Sequence, residues 1–216
     1  MVLKRGPRKP PVERDLAKLL DQSVKVSDST FRVYTNRRRR GFLNTGSAEH
    51  ASKVVQLVLT LQRNGIYVPR IQSVDYRHGI IHFEKGGKTL SGLHKISPDF
   101  ARGVQREMAV QRYWFKAARM IGTMHKLGIS HFHPHPKNII VKGNRVGLID
   151  FKFARKNDSV RWNSVGDILD AYFEDCLQFI NWAPPRLRKK LLERIVAQYP
   201  CTPEMKRKLL ESVRFD

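Results

Sequence analysis

Residues 124–154 of this 216-residue chain run MHKLGISHFHPHPKNIIVKGNRVGLIDFKFA. Val110, Trp114, Ala117, Ile121 and Met124 recur at spacings of four and three, one face of a long helix that Gly128 ends. A polar loop, Ser130–Lys137, follows. Strands Asn138–Val141 and Val146–Phe151 are then expected about a turn at Gly143-Asn144. The first strand opens on Asn138 and the second delivers Asp150 at its exit, twelve residues later. An amide oxygen and a carboxylate are thereby placed at the mouth of one hairpin. A hard cation such as Mg²⁺ takes oxygen ligands of this kind, completed by phosphate oxygens and water.

Toward the N-terminus the chain reads as β-rich. Ser23–Thr35 alternates Val24, Val26, Phe31 and Val33, which predicts two short strands. The charge run Arg37–Arg40 before Gly41 reads as an exposed loop. Ser47–Asn64 predicts a helix capped by Ser47, with Glu49 in its first turn and Gly65 after its last. Val68–Val74 and Gly79–Phe83 predict a hairpin turning at His78-Gly79. Residues 1–11 read as a basic, Pro-rich arm, and Asp15–Gln22 as a short helix. Gly86-Gly87 marks the division between an N-lobe (23–86) and a C-lobe (87–216). Beyond the catalytic hairpin, Ser164–Phe179, Pro184–Gln198 and Thr202–Val213 predict helices, with Pro185 and Pro203 near helix starts, where a missing N–H costs little. The fold class is therefore α+β, a β-rich first third followed by a helical remainder that contains one hairpin.

Composition narrows the function. With 41 Lys+Arg against 19 Asp+Glu the formal net charge is +22, which predicts a polyanionic neighbour. Lys126, Lys137, Lys142, Lys152, Arg155 and Lys156 all flank the loop and hairpin. No apolar run approaches the roughly 20 residues of a membrane span. No apolar segment follows the basic N-terminus, so a signal peptide is not expected. Two cysteines, Cys176 and Cys201, are too few for a disulfide framework, which suits a reducing, cytoplasmic setting.

The 124–154 segment resembles the catalytic core of the protein-kinase-like superfamily. It is most similar to the small atypical branch: lipopolysaccharide core kinases, aminoglycoside-type phosphotransferases, RIO-type kinases and the minimal kinase of the tRNA-modification complex. Met124-His125, Gly128-Ile129, His131, His135-Pro136, Asn138-Ile139-Ile140, and Leu148-Ile149-Asp150-Phe151 with Ala154 match the family pattern in order and spacing. The resemblance implies a bilobal fold with a catalytic loop at 131–138 and a metal-binding strand end at 148–151. It implies ATP and Mg²⁺ as cofactors, with Asn138 and Asp150 as the metal ligands. Weaker similarity runs over residues 23–180. It places Arg32 where the family has its phosphate-binding lysine, Glu84 at the adenine hinge, and Asp167 or Asp170 on the helix that supports the loop.

The chain departs from the pattern at several positions. His133 stands where the family has its catalytic Asp, no glycine lies between Gly6 and Gly41, and Lys53 and Val54 occupy the place of the helix glutamate. An Arg can bind phosphate and a neutral imidazole can accept a hydroxyl proton near pH 7. The leading expectation is an ATP-dependent phosphotransferase acting on a lipopolysaccharide core sugar or another anionic acceptor, with His133 acting on the acceptor hydroxyl. Peripheral contact of the basic face with the inner membrane surface would accompany that activity. The alternatives are a pseudokinase used as a binding or regulatory module and, behind it, an RNA- or ribosome-associated kinase-like protein. A basic chain of this kind would bind RNA with steep salt dependence.

Overall fold

In a computed structural model the backbone is described for residues 23–25, 30–35, 38–84, 86–94 and 100–213, and side chains for 41–84, 86–93, 108 and 110–213. The expected N-terminal arm and the helix at Asp15–Gln22 lie outside these residues.

Five strands build an antiparallel sheet in the order β1-β2-β3-β5-β4. They are β1 (Ser23–Lys25), β2 (Thr30–Thr35), β3 (Arg38–Asn44), β4 (Ile71–Asp75) and β5 (Ile80–Phe83). Strand β3 corrects the expectation of a loop over the arginine run. Arg38, Arg39 and Arg40 pair with Thr35, Tyr34 and Val33 of β2, and the same strand continues through buried Phe42 and Leu43. A run of like charge therefore continues a strand whose far half is anchored in the core. Arg37 lies outside the described residues.

Helix α1 (Ala48–Arg63) joins β3 to β4. Ser47 caps it, its Oγ accepting from His50 N at 3.1 Å. Ala51, Val54, Leu57, Val58 and Leu61 form its buried face.

Past Gly87 the chain adds β6 (Lys88–Thr89), α2 (Leu90–His94) and the long α3 (Phe100–Lys126). Helix α3 buries Trp114, Ala117, Ala118, Ile121 and Met124. It crosses a later helix, α5 (Arg188–Val196), so closely that a Cβ on Gly122 would lie 2.4 Å from the Ile195 carbonyl oxygen. Strand β7 (Ile129–Ser130) follows, then β8 (Ile139–Lys142) and β9 (Arg145–Leu148), which form the expected hairpin with β6 at its edge. A 3₁₀ turn (Phe151–Phe153) and β10 (Arg155–Lys156), paired with β7, lead into α4 (Val165–Ile180). Another 3₁₀ turn (Pro185–Leu187), α5 and α6 (Pro203–Glu211) complete the described chain.

One continuous apolar core runs from Leu43 and Val54 through Ile121 and Met124 to Phe179 and Leu191. The segment between α1 and β4 meets the hairpin at Tyr67, whose carbonyl accepts from Leu148 N at 3.2 Å. Among the described residues no helix is long and apolar enough to cross a membrane.

Candidate active site

The loop between β7 and β8 hangs from one buried carboxylate. Asp175, on the inner face of α4 with Ile168, Tyr172, Cys176 and Phe179, is 1% exposed. It accepts from His131 N at 2.6 Å and Phe132 N at 2.5 Å, and from His125 Nε2 at 3.1 Å. Burial alone would raise its pKa, but the hydrogen bond and charge of His125 and the approach of His131 outweigh that and hold it below the usual carboxylate value. The pairing places a proton on His125 Nε2, and His125 Nδ1 lies 2.8 Å from the Tyr199 hydroxyl.

Asp167 and Asp170 lie on this same supporting helix, as expected, but the acid on it that reaches the loop is Asp175. Asp167 lies in the first turn of α4, where Arg161 and Ser164 bind it and lower its pKa to about 2, and Asp170 is exposed. The helical period left a signal that went unread. An acid on the Ile168–Tyr172–Phe179 face must be buried, and a buried carboxylate needs donors.

His131 is fully buried. Its Nε2–H donates to the Ile149 carbonyl at 3.0 Å, and its Nδ1 accepts from His133 N at 3.3 Å. Burial lowers its pKa against the raising pull of Asp175 and Asp150, so the ring stays neutral. The contact pins the exit of β9 to the loop. Phe151 seals it from below, edge-on to the His131 ring at 5.0 Å.

Asn138 and Asp150 come to the same mouth. Asn138 O accepts from Ile149 N at 2.9 Å, one residue short of Asp150. The Asn138 amide is fixed in orientation, because its Nδ2 donates to the His133 carbonyl at 3.0 Å. Its Oδ1 is left buried without a hydrogen-bond partner, and the other such side-chain atoms among the described residues are the phenol oxygens of Tyr67 and Tyr172. A buried acceptor without a donor costs about 1–3 kcal/mol and needs an explanation. Asp150 is 9% exposed and sits in the left-handed region at φ 68°. Phe132, at φ 65°, is the other non-glycine residue with positive φ among those described. Both strained residues lie in this site, where such strain concentrates.

The remaining candidates are placed less tightly. His133 is exposed at the loop tip, its ring edge-on to Phe153 at 5.0 Å. Arg32 lies on β2 in register with Gly41, which in turn pairs with Phe83 of β5, but its side chain lies outside those described. Glu84 follows Phe83. Its N–H donates to the Arg70 carbonyl at 2.8 Å and its carboxylate lies 3.7 Å from Lys142 Nζ. On α1, Val54 is fully buried and Glu49 is an exposed partner of Lys53, so the buried face of that helix carries no acid. Among the described residues no three His, Cys, Asp or Glu side chains group as a metal site. The arrangement offers a rigid loop, a backbone-locked amide oxygen and a buried carboxylate, which is the donor chemistry of a hard divalent cation.

A family model for the lipopolysaccharide kinase (Kdo/WaaP) family matches residues 55–170. A search of curated proteins found no match. Among solved structures, one described as WaaP in complex with acyl carrier protein is similar at a TM-score of 0.52 and 16% identity, over 93% of this chain and 90% of that one. At that identity the likeness is one of fold.

Proposed function

The chain belongs to the lipopolysaccharide kinase (Kdo/WaaP) family and has a protein-kinase-like fold, and from this premise we propose that it transfers the γ-phosphoryl group of ATP to a hydroxyl of a lipopolysaccharide core sugar or a similarly anionic acceptor. The observation that carries the proposal is the orphaned Oδ1 of Asn138 at the strand mouth that Asp150 closes. These two residues would hold Mg²⁺. When bound, Mg²⁺–ATP supplies the electrophilic phosphorus and offsets the charge that develops on it.

The chain's own residues do the positioning. Asp175 and His131 hold the loop and the β9 exit in one geometry, so the metal ligands need little reorganisation. His133, at the exposed loop tip, orients the acceptor hydroxyl and takes its proton as the new O–P bond forms. Arg32 would reach the nucleotide phosphates from β2, and the segment at Glu84 would border the base. In this division of labour, residues 23–86 cover the nucleotide and residues 87–216 present the acceptor. The reading suits a cytoplasmic protein whose basic face meets the inner membrane surface.

The test is phosphate transfer from Mg²⁺–ATP to lipopolysaccharide core acceptors, followed by the mass of one added phosphate, with nucleotide affinity measured beside it. Absence of nucleotide binding, or binding that survives Asp150→Ala, would sink the proposal. One observation favours the pseudokinase reading: α1 presents buried Val54 where an acid would pair with the phosphate-binding cation. His133→Asp separates the two, since gain of transfer in an otherwise silent protein means lost chemistry, and loss means a working histidine.

A further inference from the structure

Among the described residues the exposed large hydrophobics are Tyr76, Met108, Phe153 and Trp182. Two of these four border the catalytic loop. Phe153, 47% exposed, meets the His133 ring edge-on at 5.0 Å. Trp182, 58% exposed, meets the His135 ring edge-on at 4.1 Å. His133 and His135 are two residues apart, so both aromatics flank one short segment of loop, one from the turn after β9 and one from the turn after α4. A T-shaped contact sets the edge of one ring against the face of the other, so it occupies at most one face of each aromatic.

Neither ring belongs to the apolar core or packs against it. Phe153 ends the turn that the fully buried Phe151 begins, and Trp182 lies past the buried Phe179 and Ile180 that end the inner face of α4. The turn that presents Trp182 is braced. Arg188 reaches back to it, its Nη2 donating to the Asn181 carbonyl at 3.2 Å and its Nε to the Ala183 carbonyl at 3.4 Å. Cations accompany the rings: Lys152 Nζ lies 5.6 Å from the Phe153 ring centroid, and Lys137 is exposed on the loop itself. Aromatic faces beside fixed cations suit a ligand with flat apolar C–H faces and acidic substituents. A chain of anionic sugars has that combination. Inorganic phosphate lacks the apolar faces.

We propose that Phe153 and Trp182 are the acceptor platform, stacking on sugar rings of an anionic oligosaccharide whose carboxylate or phosphate groups are met by Lys137 and Lys152. The inference rests on the phosphotransferase reading for its position beside His133, but its binding claim stands apart from turnover. The same patch, aromatic and cationic, could instead seat on an anionic lipid surface. The braced turn and the contact with the loop histidines favour the sugar, because a membrane anchor gains nothing from touching His133 and His135.

The experiment uses the full chain and a deacylated lipopolysaccharide core oligosaccharide, which carries no lipid. Binding is read by saturation-transfer NMR and by quenching of Trp emission, and transfer by KM and kcat. Trp182→Ala and Phe153→Ala are each expected to weaken oligosaccharide binding and raise the acceptor KM about tenfold, the scale of one lost stacked ring. Nucleotide affinity should hold and kcat should change little. Trp182→Phe should recover most of the loss, which a merely structural role would not. If the wild type binds oligosaccharide through Trp182 yet transfers no phosphate, the platform stands and the kinase reading fails. If the wild type transfers phosphate and both alanine variants keep the acceptor KM, the platform is overturned and the kinase reading stands. Loss confined to anionic vesicles, with the lipid-free oligosaccharide unaffected, also overturns it in favour of a membrane anchor.

Discussion

Asn138 spends its amide nitrogen on the His133 carbonyl and leaves its oxygen buried without a donor. An oxygen kept for a ligand burdens the ligand-free fold, so removing it should separate stability from function. Asn138→Leu loses one hydrogen bond, worth about 1 kcal/mol, and relieves a penalty of similar size. Its urea-unfolding free energy should therefore stay within about 1 kcal/mol of wild type, while Mg²⁺-dependent nucleotide affinity falls by a factor of roughly 100 or more. A loss of several kcal/mol would mean that Oδ1 serves the fold. His133 makes the opposite prediction. It is exposed, so His133→Ala should leave stability and nucleotide affinity alone and lower kcat by about 10²-fold or more, the usual scale of a lost general base. That Asn138 and Asp150 meet at one strand mouth was legible in the sequence, because many positions of the 124–154 stretch are fixed together.

At the scale of elements, the support of the loop is the informative case. Helix α4 was legible as the support, with Asp167 and Asp170 on it, but the acid that turns inward, Asp175, was not singled out. Those positions fall on the first turn and the solvent side, and only Asp175 shares the face of Ile168, Tyr172 and Phe179. Asp175→Asn keeps the shape but turns an amide NH₂ toward at least one of the donors, which divide between Phe132 N on Oδ1 and His131 N with His125 Nε2 on Oδ2. It should destabilise the protein by about 3 kcal/mol, as breaking a buried charged network does, and lower transfer with it, measured by urea unfolding and by kcat. The small pairings were the illegible elements. Strands β6, β7 and β10 are two residues each, too short to show a period, and exist because partners elsewhere in the chain accept them. Gly147 shows such a partnership. A Cβ there would lie 2.1 Å from the Tyr67 carbonyl oxygen, so Gly147→Ala should pry the segment between α1 and β4 from the hairpin. The expected cost is about 1–3 kcal/mol, read as a lower urea midpoint, and a neutral substitution would show that this contact yields freely.

The whole molecule carries a net charge of +22 and hides a neutral histidine at its centre, and both features make it sensitive to acid for different reasons. The buried His131 has its pKa lowered by burial, and His135 is lowered by partial burial and then by Lys137. In the unfolded chain both titrate near the ordinary histidine value of about 6.5. Below that pH the unfolded state binds more protons than the folded one, so stability is full above it and declines as pH falls. Each proton of difference contributes a slope of up to about 1.4 kcal/mol per pH unit. Asp175, whose folded pKa is lowered, adds a second decline only in the carboxylate range, below about pH 4. Self-repulsion of the surplus cations also grows as histidines charge, and it would produce a decline of the same sign. Salt tells them apart, because ions at about 0.5 M screen surface charge and leave a buried proton difference largely intact. Urea unfolding at pH 7.5, 6.5 and 5.5, with and without added NaCl, should therefore show a decline below pH 6.5 that survives the salt. His131→Asn, which keeps a donor and an acceptor but cannot titrate, should flatten that decline by about one proton. A decline abolished by salt in the wild type would assign the acid sensitivity to the surface charge and remove His131 from the account.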